Sequence, residues 1–189
     1  YDESGNRNVE TNVTEFTGAD THRILSFGSK VQADFDGINF INGYYEGRGG
    51  AIMIHSGTFT FTNCNFISNE STERGGAVRI ETNADVSFES CNFADNKTLC
   101  IEENSTSSSG EGVGGAVYSA GSTVKIFVNN CTFSGNVAWR GGAIGSNGAK
   151  VAVSNSTFEN NGNEYSYNGG AIFAVSNLTL DNCKFTGHQ

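Results

Sequence analysis

Two short strings alternate along this chain, and their phase constrains the fold more than any other feature. Gly-Gly-Ala-[Ile/Val] occurs five times: Gly49, Gly50, Ala51 and Ile52; Gly75, Gly76, Ala77 and Val78; Gly114, Gly115, Ala116 and Val117; Gly141, Gly142, Ala143 and Ile144; Gly169, Gly170, Ala171 and Ile172. Between them runs Phe-x-x-Asn, at Phe66 and Asn69, Phe93 and Asn96, Phe133 and Asn136, and Phe158 and Asn161. Degenerate copies, Phe40 to Gly43 and Phe185 to His188, flank the set. The first glycines stand 26, 39, 27 and 28 residues apart, and the phenylalanines from Phe40 onward 26, 27, 40, 25 and 27. A fixed period of this length means one supersecondary unit stacked on copies of itself. The single long interval marks a polar, Ser-rich insertion at about 97–112, which reads as a surface loop.

Inside each repeat the apolar period is two. Thr58-Phe59-Thr60-Phe61-Thr62 alternates, as do the stretches around Val86 and Phe88, Val124 and Ile126, Val151 and Val153, and Leu178 and Leu180. These read as short, half-buried strands. A second strand starts at each Gly-Gly-Ala-[Ile/Val], with Ile or Val inward and Met53, Arg79, Tyr118, Gly145 and Phe173 outward. A third carries Cys-x-Phe, both inward. Three short strands per repeat predict an all-β chain: a right-handed parallel β-helix, or β-solenoid, of about six rungs over residues 37–189. Residues 1–36 are less repetitive and are expected to form an irregular rung or an N-terminal cap. A leucine-rich repeat would need a Leu pattern, and a propeller blade about 40 residues.

Stacking explains the unusual composition. Like residues recur at the strand spacing of about 4.8 Å. Asn63, Asn130, Asn155 and Asn182, with Ser90, share one corner, where Asn tolerates left-handed backbone and its amide bonds along the stack. Asn69, Asn96, Asn136 and Asn161 predict a second ladder. The glycine pairs supply positive φ at the third corner. The chain accordingly has 25 glycines and 23 asparagines in 189 residues and no proline, since proline would remove a ladder hydrogen bond. Glycine without a three-residue period excludes collagen. A net charge of −9 argues against nucleic acid or an anionic membrane as the main partner. No apolar run approaches the ~20 residues of a membrane helix, so direct membrane insertion of this segment is not expected. The opening, Tyr1 to Thr14, is polar and unlike a secretory leader; export would imply a leader already removed or a longer parent chain.

The phased strings over residues 37–188 resemble the repeats of the polymorphic outer membrane proteins of chlamydiae and of related adhesin-like secreted β-helix proteins. The resemblance implies an extracellular, cell-surface passenger domain that binds a host-cell protein or surface glycan and tends to self-associate. Two departures stand out: residues 1–189 include no translocator barrel of their own, and His188 replaces the last Asn.

Chemistry is sparse. Cys64, Cys91, Cys131 and Cys183 share one inward row, with Ser156 in the gap. They read as small buried apolar groups, with a Cys64–Cys91 disulfide as the alternative. Cys100 stands alone in the insertion, where an intermolecular bridge is open to it. No C-x-x-C occurs and His22, His55 and His188 are scattered, so neither a metal nor a cofactor is expected. A polysaccharide lyase or hydrolase on this scaffold would need acids aligned on neighbouring rungs. Asp34 and Asp36 precede the first clear rung, Asp85 and Asp95 have no acidic partner in register, and Glu102, Glu103 and Glu111 lie in the insertion. No catalytic residue is assigned.

The candidate binding surface is aromatic. Tyr44, Tyr45, Trp139, Tyr165 and Tyr167 fall at the corner before Gly-Gly. There they either cover neighbouring apolar atoms or present a row that stacks on sugars or anchors a protein. Arg48, Arg74 and Arg140 run along the same edge, to pair with Glu46, Glu70 or Glu73 or to meet an anionic sugar. Open rungs are unpaired edges, so head-to-tail stacking into an extracellular fibre is the alternative to an adhesin. Glycosylation sequons stand at Asn12, Asn69, Asn96, Asn104, Asn130, Asn155 and Asn177. Asn130 and Asn155 are expected inward and closed to glycan, with Asn104 the best acceptor.

Overall fold

A computed structural model describes residues 13–99, 112–163, 166 and 168–188. These form a β-solenoid of about six turns, with no helix among the described residues. The first sheet has seven parallel strands: Thr14–Thr17, Ile38–Ile41, Asn65–Ile67, Asn92–Ala94, Thr132–Ser134, Thr157–Glu159 and Lys184–Thr186. The second has six: Leu25–Phe27, Ile52–Ile54, Val78–Ile80, Val117–Ala120, Ile144–Asn147 and Ile172–Ala174. The third also has six: Val31–Asp36, Gly57–Thr62, Ala84–Glu89, Lys125–Asn129, Lys150–Ser154 and Leu178–Asp181. A fourth, short sheet joins Tyr44–Tyr45, Glu70–Ser71 and Lys97–Thr98, beyond the three strands per rung expected. The stack also begins before residue 37. Thr14–Thr17, Leu25–Phe27 and Val31–Asp36 pair in register with the next rung, so residues 14–36 are built as a regular rung. Their Phe16, Phe27 and Phe35 keep the period-two inward pattern even though the motif strings are missing.

Register holds the core together. Phe40, Phe66, Phe93, Phe133, Phe158 and Phe185 are consecutive partners. Their rings stack with centroids 5.0, 4.6, 4.6, 4.7 and 4.7 Å apart. Each fully buried Phe contributes about 2–3 kcal/mol of apolar burial, and each stacked pair about 1 kcal/mol more. A second row, Phe35, Phe61 and Phe88, meets the first edge-on, filling the interior between the first and third sheets.

The two Asn ladders differ in kind. Asn69, Asn96, Asn136 and Asn161 are fully buried. Asn96 Oδ1 accepts from both the backbone N and Nδ2 of Asn69, while Asn96 Nδ2 donates to Phe66 O and to Asn136 Oδ1. The same pattern repeats onward to Asn161. Gly43 closes one end by donating to Asn69, and His188 Nδ1 takes the place of an amide oxygen at the other, 3.1 Å from Asn161 N. Asn63, Asn130, Asn155 and Asn182 instead lie exposed, with φ of 51, 52, 49 and 48°. Their amides reach Asp36, Ser90, Asn129 and Asn155 in turn. Asn130 and Asn155 are therefore outward, contrary to the inward placement expected. The buried sequons are Asn69 and Asn96, whose amides are consumed by the inner ladder.

The glycine pairs serve two purposes, not one. Gly49, Gly75, Gly114, Gly141 and Gly169, the first of each pair, have φ between 61 and 70°. The second glycine is there for space: a Cβ on Gly76 would sit 2.1 Å from Gly115 O, and one on Gly115 2.1 Å from Gly142 O.

Cys64, Cys91 and Cys131 are buried free thiols, and Cys183 is a partly exposed one. They act as hydrogen-bond donors as well as apolar filler. Each Sγ donates to the carbonyl two residues back, Thr62, Glu89, Asn129 and Asp181, at 3.2–3.4 Å. Ser156 makes the same bond to Ser154 O at 2.7 Å, which is why serine can fill the row. Hydrogen bonds with Cys131 and Cys64, then burial, push the Cys91 thiol well above its ordinary pKa.

Candidate functional site

The register breaks up the expected aromatic row. Tyr44 pairs with Glu70, Glu70 with Lys97, and Lys97 bridges to Val137. Tyr45 is followed in its row by Ser71 and Thr98. Polar and small residues thus separate Tyr44 and Tyr45 from half-buried Trp139. Tyr165 and Tyr167 lie outside the described residues. Tyr44 is half-buried and Tyr45 is 41% exposed.

The outward row of the second sheet is not a free surface. Ser26, Met53, Arg79, Tyr118, Gly145 and Phe173 are in register as expected. Yet Met53, Arg79 and Tyr118 are buried. The segment before each Gly-Gly folds back across them. Arg48, Arg74, Val113, Arg140 and Asn168 form a ladder of parallel bridges above the row. The guanidinium of Arg74 lies 5.5 Å from the Tyr118 ring, and that of Arg140 5.5 Å from the Phe173 ring. These arginines cover apolar surface with their stems, as long cationic side chains do. Five of the six arginines of the chain, all but Arg7, belong to this edge or its neighbouring corner.

On the first four rungs this layer leaves a groove. Its first part, about 380 Å³, is walled by Arg23, Tyr45, Arg48, Met53, His55, Glu73 and Glu81. Arg23 is held from below: Nε donates to Gly49 O at 2.9 Å and Nη2 to Arg48 O at 2.6 Å. Its guanidinium carbon sits 3.5 Å from the Tyr45 ring centroid, a cation–π contact that fixes the ring. Burial lowers the Arg23 pKa while Tyr45 opposes the shift. Arg48 Nε donates to Glu73 Oε2 at 2.7 Å, and this bond raises the Arg48 pKa above its ordinary value. The second part, about 900 Å³, runs over the corner between the second and third sheets. It is walled by Ser29, Lys30, Gln32, Ser56, Thr58, Thr82, Asn83, Asp85 and Thr123 among others. His55 and Glu81 line both parts.

His55 Nδ1 and Glu81 Oε2 share a hydrogen bond of 2.8 Å. Glu81 Oε1 stands 3.9 Å from Arg79 Nη2. Arg79 is 4% exposed, and its Nε and Nη1 have no hydrogen-bond partner; burial holds its pKa below the ordinary value. At the far wall Lys125 Nζ bonds Asp85 Oδ2 at 2.8 Å. Arg23 and Glu81 lie outside the recurring strings and His55 reads in the sequence only as a scattered histidine, although a signal is present. His55 and Glu81 are 26 residues apart and Asp85 and Lys125 40, the ordinary and the long repeat interval. The arrangement offers fixed donors, fixed acceptors and one aromatic face. Among the described residues no three His, Cys, Asp or Glu side chains converge as metal ligands.

The sequence profile of the Chlamydia polymorphic membrane protein (Chlamydia_PMP) repeat matches residues 130–147. That stretch spans the exposed corner Asn130, the stacked Phe133, the inner-ladder Asn136 and the Gly141–Gly142 pair. Neither a curated protein nor a solved structure matches the chain. The similarity is thus to one repeat unit of that family, on the residues that build the rung.

Proposed function

We propose that this chain is an extracellular, surface-displayed solenoid module of the adhesin type, which holds a ligand on a host or neighbouring cell without catalysing a reaction. The observation that carries the reading is the match of residues 130–147, which span two of the three main strands of one rung, to the repeat of a membrane-protein family, within a chain whose other rungs keep the same register. A stack of this kind gives a long, rigid surface on which exposed residues recur at fixed spacing. The side chains nearest to a catalytic set are engaged with one another: Glu73 with Arg48, Glu81 with His55, Asp85 with Lys125. That favours recognition over acid–base chemistry, which needs a titratable group facing the reacting atoms.

The reading is tested by adding the purified, fluorescently labelled chain to cultured epithelial cells. Saturable binding that unlabelled chain competes away is expected. Binding that stays linear with concentration overturns it. Filaments in the same preparation by electron microscopy would favour the fibre reading instead.

A further inference from the structure

The groove around His55 and Glu81 has the features of a saccharide site, and it owes nothing to the repeat motifs. Its two parts meet at His55 and Glu81 and together cross four successive rungs, from Arg23 and Lys30 to Thr123. Three rung spacings amount to about 14 Å, room for a short oligosaccharide rather than a single sugar. At one end Tyr45 is 41% exposed, and Arg23 packs against its ring. A ring so fixed is a platform that pays no ordering entropy when a pyranose face settles on it. At the middle Glu81 is held from two sides, by His55 and Arg79, so its remaining acceptor capacity points in a set direction. Beyond it, Gln32, Thr58, Thr82, Asn83 and Thr123 place amides and hydroxyls along the wall; all five are exposed. Ligand pockets usually have mostly apolar walls with few polar groups; here polar surface slightly exceeds apolar in both parts, as suits a ligand that is itself a dense array of hydroxyls. A protein partner would be expected to need a larger desolvated apolar centre, and the apolar side chains in the walls, apart from Tyr45, are buried Met53 and half-buried Val31.

We infer that the groove between Tyr45, His55–Glu81 and Thr123 binds an oligosaccharide, with Tyr45 as its stacking platform and Glu81 as its central hydroxyl acceptor. This deepens the adhesin reading by choosing glycan over host protein, and it rests on that reading.

The test uses the whole chain on an array of immobilised neutral, sialylated and sulfated oligosaccharides, and on cells treated with either periodate or trypsin. Binding to at least one glycan class is expected, abolished on periodate-treated cells and retained on trypsin-treated ones. Tyr45→Ala and Glu81→Gln should weaken it at least tenfold, Tyr45→Phe should keep it, and Lys184→Ala, on the last rung, should leave it unchanged. If Tyr45→Ala fails to fold by circular dichroism, the exposed pair Gln32→Ala and Thr58→Ala supplies the same readout, with a loss expected. Cell binding that survives periodate and is lost to trypsin overturns the inference while leaving the adhesin reading in place. Glycan binding that Tyr45→Ala and Glu81→Gln leave unchanged overturns the placement. Absence of cell binding altogether overturns the adhesin reading itself.

Discussion

The behaviour of single residues here depends on which side of the rung they face, not on their type. Asn96 and Asn130 are both ladder asparagines, yet their loss should differ. Asn96→Ala leaves the backbone N of Asn69 and one N–H of its Nδ2 without an acceptor, the other N–H still reaching Phe40 O, and removes a donor from Phe66 O, at a site with no exposure. Each stranded buried group costs about 1–3 kcal/mol, so a loss of about 3 kcal/mol or more is expected in urea unfolding. Asn130→Ala removes one exposed bond and puts alanine, which lacks asparagine's tolerance of left-handed backbone, at φ 52°, a cost of about 1 kcal/mol, and Asn130→Gly should be near neutral. Equal losses for Asn96→Ala and Asn130→Ala would refute the division into inner and outer ladders. The thiol row gives a second residue-scale expectation. Cys131→Ser should be tolerated, because Ser156 already makes the equivalent bond one rung away. Cys131→Val loses the bond to Asn129 O and should cost about 1 kcal/mol. The thiolate is the reactive form, and the raised pKa of Cys91 keeps it scarce. Burial closes Cys64 and Cys131 to reagent as well, so peptide mapping after iodoacetamide at pH 8.5 should find Cys64, Cys91 and Cys131 unmodified in the folded chain and modified in urea.

At the scale of the element, the Gly-Gly turn shows two constraints written with one letter. The first glycine needs a left-handed backbone; the second lets neighbouring turns approach until carbonyl oxygen meets Cα. Gly76→Ala places a methyl 2.1 Å from Gly115 O, and backbone cannot yield as a side-chain tip does. Thermal melts should show a loss of about 3 kcal/mol. Gly28→Ala is the control, since a Cβ there meets nothing within 4 Å; it should leave stability unchanged or slightly raised. The same turn also explains the covered second sheet. The segment before it is long enough to fold over Met53, Arg79 and Tyr118, turning an outward row into a buried one. Strand alternation alone assigned those side chains to solvent. It could not register a second layer, because that layer comes from an irregular segment whose length differs from rung to rung.

Over the whole molecule, stability is a sum of rungs and rung interfaces. The middle rungs are covered on both sides, whereas Leu178–Asp181 and Lys184–Thr186 are exposed throughout. Hydrogen exchange should therefore find the amides of Ile52–Ile54, Val78–Ile80 and Val117–Ala120 slowest and those of the last rung fastest. Uniform protection along the chain would contradict the additive picture. Phe133→Ala, within the ring stack, should cost about 3–5 kcal/mol, and Phe185→Ala, 38% exposed, clearly less. Most of this architecture was legible beforehand, because the period of about 26 residues makes each residue the neighbour of its own copy. Strand register, the Phe stack and the existence of two Asn ladders follow from that one number and from period-two alternation. The groove was not legible in the same way. Arg23, Tyr45, His55 and Glu81 belong to no repeated string, and the expected aromatic row ran along an edge where Ser71 and Thr98 interrupt it. A repeat fixes what lies above and below a residue, at one strand spacing. It leaves open how irregular corners pack sideways, since their backbone has no ladder to obey. The sequence by itself therefore determined the stack and its register. Only the tertiary structure decided which Asn ladder is inner, that Arg79 is buried, and which side chains from four rungs meet in one groove.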